Sequence, residues 1–261
     1  KDKKAYDLLI QSETGLVSIT GTEETPSKVG ISIADIAAGM YAYSGILTAL
    51  LVRQQTGEGL AMEVSLLEAL GEWMGYPIFY ARYGGSAPQR TGASHAVIAP
   101  YGPFASGDGK VLFLGIQNER EWVRFCEQVL ERPELAGDCR FTSNSKRVEQ
   151  RAVLDAIIWD SFRSLSAAEI IERLDRAQIA NARMNTVQEF LVHPQLEARN
   201  RWREIESPAG PLQVLVPPAT LEGTEVVMHA IPDIGQHTGA ILAELGYDCA
   251  AIDRLRRAAV V

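Results

Sequence analysis

One acidic residue, Asp35, interrupts the otherwise uncharged run VGISIADIAAGMYAYSGILTALL. It stands between an apolar, strand-like run at 29–34 and an apolar, helix-like run at 36–51. A carboxylate in such surroundings is costly unless something hydrogen-bonds it. Two uses fit. Asp is among the best helix N-caps, and Asp35 immediately precedes the helical run. A carboxylate at a helix N-terminus is also favoured in its charged form by the dipole. With Ala34, Ala37, Ala38 and Gly39 as neighbours it is sterically open, which is what a covalent nucleophile needs. The two uses are compatible, and the residue pattern leaves both open.

Other groups offer less. His95, His193, His229 and His237 lie far apart and have no metal-ligand spacing with cysteines or carboxylates, so no metal is expected. Each reads as a surface or helix-end histidine, although His95 falls in the turn-rich loop SAPQRTGASHAVIAPYG. There is no GxSxG and no P-loop, and GGSAPQRTG has too few glycines in register to cradle a phosphate. Lys1, Lys3 and Lys4 read as a solvated run.

The chain of 261 residues is 46% hydrophobic and 22% charged, an ordinary globular composition with length for one large or two modest domains. A net charge of −8 argues against nucleic-acid and anionic-membrane partners, and an anionic ligand would need a local basic pocket. Cys126, Cys139 and Cys249 form no paired spacing and no secretory signal precedes them, which points to a reducing cytoplasm. Even the apolar run at 40–52 is short and broken by Tyr, Ser, Gly and Thr, so no membrane span is expected.

These residues need elements to position them. The pattern predicts a helix from Ala5, an extended segment, and a long helix over 36–55. QTGEG stops that helix, with Gly57 and Gly59 free to adopt left-handed backbone. A strand-like start and a second long helix, 61–83, follow and end at Gly84–Gly85. The loop with His95 is a domain boundary. YGPFASGDGKVLFLGIQ predicts a hairpin turning at Gly107–Asp108–Gly109. NEREWVRFCEQVL predicts an Asn-capped helix with Trp122, Phe125, Cys126 and Val129 on one face. Helices near 147–162 and 167–177 come next, the second with a Ser166/Glu169 capping box. From about Ala182 short strands, REIESP and LQVLVPPATLEG, lead to a terminal helix and a second short one.

Three stretches together carry a resemblance: AYDLLIQSETGLVSITG, then GISIADIAAGMYAYSGILTALLVRQQTGEGLAMEVSLLEAL, then IGQHTGAILAELGY. They resemble the class III CoA-transferases, the CaiB/BaiF family that includes formyl-CoA transferase. The resemblance implies that Asp35 is the nucleophile. It would attack an acyl-CoA thioester to give a mixed anhydride, then an aspartyl-CoA thioester that an incoming carboxylate resolves. Asp7 would be a second acidic group at the site, beside Tyr6. Lys4 would approach the CoA phosphates and Leu66 would contact CoA. The loop with His95 and Tyr101 would close over the substrate, and Arg90 is a candidate partner for a distal carboxylate, against the plain reading of a solvent-exposed arginine.

The implied fold is α/β: a Rossmann-like large domain built from both chain ends, 1–70 and 199–261, and a smaller α+β domain at 94–182. Residues 71–93 and 183–198 would link them. The family's interlocked homodimer is implied too, with helices such as 61–83 spanning between domains. The substrates would be a CoA thioester and a small carboxylic acid such as succinate or mesaconate, with no prosthetic group. RTGASHAVIAPYG lacks the glycine-rich loop of the formyl-CoA branch, which points away from oxalate.

Family members carry a further N-terminal stretch, on the order of a hundred residues or more, that forms the first half of the Rossmann-like domain. The sequence opens without Met and lacks that stretch, so exposed apolar surface and weak CoA binding alone are expected; either the stretch is a separate N-terminal segment or subunit, or it was cleaved, or this chain is inactive as it stands. Two rivals remain. An α-methylacyl-CoA racemase would need a His where Tyr6 stands. A catalytically incomplete subunit would only bind its partner.

Overall fold

The computed structural model describes residues 4–261, so Lys1 and Lys3 of the basic run lie outside the described residues. The chain forms two compact units, one ending at Met184 and the other beginning at Asn185.

The first unit opens with α1 (Asp7–Glu13), α2 (Leu16–Ile19) and α3 (Ile33–Thr56). Helix α1 starts two residues after Ala5. Helix α3 starts earlier than expected, and this corrects the reading of Asp35 as a cap. Ser32 holds the cap position, without a side-chain capping bond, and Asp35 is the third helical residue. The run at 29–34 has the residues of a strand but joins no ladder among the described residues, and its end winds into the helix instead. Gly57 ends α3 in left-handed backbone, φ 78°, with its N–H on the Arg53 carbonyl at 2.7 Å. Gly59 does not share that conformation.

Helix α3 also corrects the expectation about membrane spans. Its 24 residues are long and apolar enough to cross a membrane by length and composition. The helix extends beyond 40–52 at both ends, and its Tyr, Ser, Gly and Thr residues are too mildly polar to interrupt it. Met40, Tyr43, Ile46, Leu47, Leu50 and Leu51 are exposed along it, so apolar surface is indeed presented to solvent.

In place of one helix over 61–83 there are two, α4 (Leu66–Trp73) and α5 (Gly75–Tyr83), and 61–65 is not a strand. Pro77 is the reason: it has no N–H for the Trp73 carbonyl, and its ring would collide with that carbonyl in a continuous helix. Ser65 caps α4 by accepting from the Glu68 N–H. Helices α1, α3 and α4 meet over Ile10, Ala34 and Leu70, with Leu16, Ile33 and Leu66 packed around them.

The rest of this unit is a three-stranded antiparallel sheet packed on helices. Strands β1 (Tyr101–Ala105) and β2 (Val111–Gly115) form the expected hairpin, paired from Tyr101–Gly115 to Ala105–Val111. Strand β3 (Ala180–Arg183) pairs with β2 and was not anticipated, because ANAR has neither alternation nor β-branched residues. Asn118 caps α6 (Glu119–Arg124), which runs on into a π-helical turn at Phe125–Val129. The expected helix over 147–162 is α7 (Asn144–Glu149) and α8 (Arg151–Phe162), broken at Gln150. Helix α9 (Ala167–Arg176) carries the expected capping box. Trp122, Phe125, Cys126 and Val129 are buried in one core with Leu112 and Leu154. Burial pushes the Cys126 thiol up to about 12, leaving it an inert packing group.

The second unit holds α10 (Val187–Leu191), α11 (Pro194–Ala198), a hairpin of β4 (Trp202–Ile205) and β5 (Leu212–Leu215), then α12 (Thr238–Glu244) and α13 (Cys249–Arg257). Helices α10 and α11 occupy what the sequence reading left as a linker. Their signal was present: Thr186 and Glu189 form a capping box.

Arg147 is 1% exposed, an unusual burial for a cation. Its Nε donates to the Ala99 carbonyl at 2.8 Å and its Nη1 to the Phe141 carbonyl at 3.0 Å, while Nη1 also meets Glu119 Oε2 at 2.6 Å. The guanidinium lies over Trp122, 5.0 Å from the ring centroid. Arg147→Ala should therefore destabilise the protein by about 3 kcal/mol or more in urea unfolding, by leaving the Ala99 and Phe141 carbonyls without their donor and a cavity beside Trp122. Arg147→Lys should recover less than half of that loss, because an ammonium cannot reproduce the fork. Full recovery in the lysine variant would contradict this account.

Candidate active site

Helix α3 begins against α1, and the contact is polar. Asp7 Oδ1 accepts the Ala34 N–H at 2.9 Å, from the residue just before Asp35. Asp7 Oδ2 accepts from Gln11 Nε2 at 2.8 Å, and Gln11 Oε1 accepts the Val29 N–H at 2.9 Å. Asp7 thus does from α1 what the local cap residue, Ser32, does not. Asp35 itself is exposed and, among the described residues, has no hydrogen-bond or ion-pair partner. It projects from a helix turn whose backbone is held by other groups, at the positive end of the dipole.

Three other expected site residues lie just before α1 or at the start of α4. Tyr6 is exposed at the cap position of α1. Lys4 borders a cavity of about 190 Å³ with Leu9, Ile10, Glu13 and Leu67. Leu66, the first residue of α4, is half-buried against Ile10, Ala34 and Leu70, and so it lies under the corner more than over it.

His95 and Tyr101 form a second group, and no hydrogen bond, ion pair or ring contact joins them to Asp35 among the described residues. Their rings stack at 5.2 Å with 11° between planes, and Tyr76 lies 6.4 Å from His95. Tyr101 and Gly115 also line a cavity of about 340 Å³ with Phe113, Gln117 and Asn181. A Cβ at Gly115 would come within 3.1 Å of the Tyr101 ring, so a larger residue there would press on the ring and shift it by a few tenths of an ångström. Arg90 belongs to neither group. Its guanidinium donates to the carbonyls of Ser18, Thr22 and Glu23 at 3.0, 2.8 and 2.8 Å. It clamps the loop after α2 and is neither a free surface arginine nor an open carboxylate partner.

Sequence reasoning missed the residues that fix these groups. Gln11 follows Asp7 by four positions on a helix, a spacing at which Gln and Asp side chains bond, so its signal was available. Arg151 Nη2 donates to the His95 and Ile98 carbonyls at 2.6 and 3.0 Å. Asn144 donates to the Val97 carbonyl at 2.8 Å and accepts the Ala99 N–H at 3.1 Å. Neither had a local signature.

Burial first, and then the nearby Arg151 cation, hold the His95 imidazole below the ordinary histidine value. Its Nδ1 accepts the Val97 N–H at 3.2 Å, which requires that nitrogen to be unprotonated. The contribution of His95 to stability is therefore complete above the unfolded value near about 6.5 and is lost as pH falls below it. An NMR titration should place the His95 midpoint below that value. Arg151→Gln should raise the midpoint without restoring it, since burial is the larger cause. A midpoint above about 6.5 in the unaltered protein would refute the assignment.

Comparison with known proteins extends the picture. A profile for CoA-transferase family III matches residues 1–238. The human succinyl-CoA:glutarate CoA-transferase is 28% identical over 264 residues, 99% of this chain and 60% of that protein. The acetyl-CoA:oxalate CoA-transferase of Acetobacter aceti is 29% identical over 198 residues, 75% of this chain and 50% of that protein. The crystal structure of a CaiB/BaiF family protein from Brucella suis, 28% identical, superposes with a TM-score of 0.76 over 94% of this chain and 64% of that one. The α/β class expected from the sequence is the one this neighbour shares. The chain spans about 60% of the length of the human relative.

Proposed function

The chain belongs to CoA-transferase family III, and on that premise we propose that it carries the nucleophile, Asp35, of an enzyme that moves CoA from an acyl-CoA to a small dicarboxylate. The observation that carries this reading is the state of Asp35: exposed, without a hydrogen-bond or ion-pair partner among the described residues, and mounted on a helix turn pinned by Asp7. A capping bond would tie up one carboxylate oxygen, and Asp35 makes none among the described residues.

In the proposed sequence Asp35 attacks the thioester carbonyl, forming an anhydride and releasing CoA thiolate. The thiolate attacks the Asp35 carbonyl of that anhydride, giving an aspartyl-CoA thioester and freeing the donor acid. The acceptor carboxylate attacks this thioester, forming a second anhydride and again releasing thiolate. Attack of that thiolate on the acceptor's acyl carbon gives the new acyl-CoA and restores the Asp35 carboxylate. No net proton is consumed. Lys4, Tyr6 and Leu66 are proposed on the CoA side, and His95 and Tyr101 on the acid side.

The two relatives named for their acids act on glutarate and oxalate, both dicarboxylates, and this supports the substrate class. Oxalate therefore stays among the candidates, because the relative named for it is 29% identical to this chain over 198 residues. A homodimer is proposed with the activity, and the exposed apolar side chains of α3 offer surface for it to bury. Proton transfer at the α-carbon is disfavoured by Tyr6, which leaves this corner without a histidine.

With the full-length protein, CoA transfer from succinyl-CoA to oxalate, glutarate and mesaconate should be measurable for at least one acid. Asp35→Ala should lower kcat/KM by about a thousandfold or more. Transfer that persists in Asp35→Ala would sink the nucleophile reading. Deuterium exchange at the α-carbon without any transfer would replace it with a racemase.

A further inference from the structure

We propose that Gln11 is a positioning residue for CoA transfer, acting through Asp7 on the helix turn that presents Asp35; this rests on the nucleophile reading above. Gln11 is 0% exposed, so its amide is fully withdrawn from water and must be satisfied internally. It is satisfied in only one orientation. The Val29 N–H can only donate, so it must face Oε1, and the Asp7 carboxylate can only accept when ionised, so it must face Nε2. A flipped amide loses both bonds.

One side chain therefore ties down both ends of the segment leading into α3. Val29 is held directly, and Ala34 is held by Asp7 Oδ1, on the carboxylate whose other oxygen accepts from Gln11. Packing alone would fix this segment poorly. The buried cluster beneath it is only Ile10, Ala34 and Leu70, with three partly buried neighbours. Among the described residues Asp35 has no hydrogen bond or ion pair of its own to set its direction, so its aim follows the backbone turn. A misplacement of the attacking group by a fraction of an ångström is costly in kcat.

The test uses the full-length protein. Gln11→Glu replaces the donor by a second carboxylate where the separation is 2.8 Å, and that pair keeps its contact only by taking up a proton. Near neutral pH, kcat should fall about ten- to a hundredfold, the scale of one lost hydrogen bond to a charged group. KM for the acyl-CoA should stay within about twofold. The deficit should shrink as pH is lowered, because protonation restores a donor.

Asp7→Asn combined with Gln11→Glu should recover most of kcat. The new amide at position 7 can still accept from Ala34 and now donates to the carboxylate at position 11, which still accepts from Val29. Should the single variant fail to fold, the double variant carries the test and must fold and turn over. Wild-type kcat in Gln11→Glu, or a deficit that neither pH nor the second substitution changes, would overturn the proposal. Asp35→Ala assayed alongside separates the two claims: turnover that survives there removes the nucleophile reading itself.

Discussion

The hydrogen bond from the Ala34 N–H to the Asp7 carboxylate is the contact on which the rest of the corner depends. A helix begins with unsatisfied N–H groups, and some acceptor must meet them. Here the local cap residue makes no such bond, so the acceptor arrives from another helix. That choice couples the docking of α1 to the start of α3. It also releases the acidic residue in the first turn of α3 from structural duty. The two carboxylates divide the work: Asp7 is spent on the backbone and Asp35 remains available. Asp7 thereby stands as a supporting group with both oxygens engaged.

Much of this was legible in the sequence, and the parts that were not fail for identifiable reasons. The hairpin at 101–115, the Asn118 cap, the Ser166 capping box and the buried face of Trp122, Phe125, Cys126 and Val129 all follow local rules that tertiary context did not override. The start of α3 was misplaced because Val29, Ile31 and Ile33 look like a strand, and strand propensity has no force without a partner. The second long helix was read across Pro77, although that residue alone was reason to divide it. Strand β3 is held by its neighbour β2 and has no signal of its own. The Asp35 position was legible through the motif around it. Gln11 and Arg151 act at long sequence separation, on Val29 and on the His95 loop, where periodicity says nothing.

The region around His95 is organised on the same plan as the α1–α3 corner. In both, the side chains of interest are held by backbone contacts that other residues make. Asn144 and Arg151 grip the carbonyls and an N–H of the loop, while the His95 and Tyr101 rings stack freely on one another. Arg90 does the same for the loop after α2. Backbone held rigid by other residues would suit the proposed site, where a thioester and then a small acid must each be aligned. It also leaves much apolar surface uncovered along α3, a property that a homodimer would turn to use.

The central claim is that Asp35 forms covalent intermediates, and trapping one tests it most directly. Full-length protein would be mixed with succinyl-CoA, quenched in acid and digested with trypsin, which should release residues 29–53 as one peptide between Lys28 and Arg53. Mass spectrometry should find CoA attached to that peptide through a thioester at Asp35, formed only with the donor present and released by adding the acceptor acid. An unmodified peptide under conditions of active turnover, or an adduct on another carboxylate such as Asp7, would contradict the account.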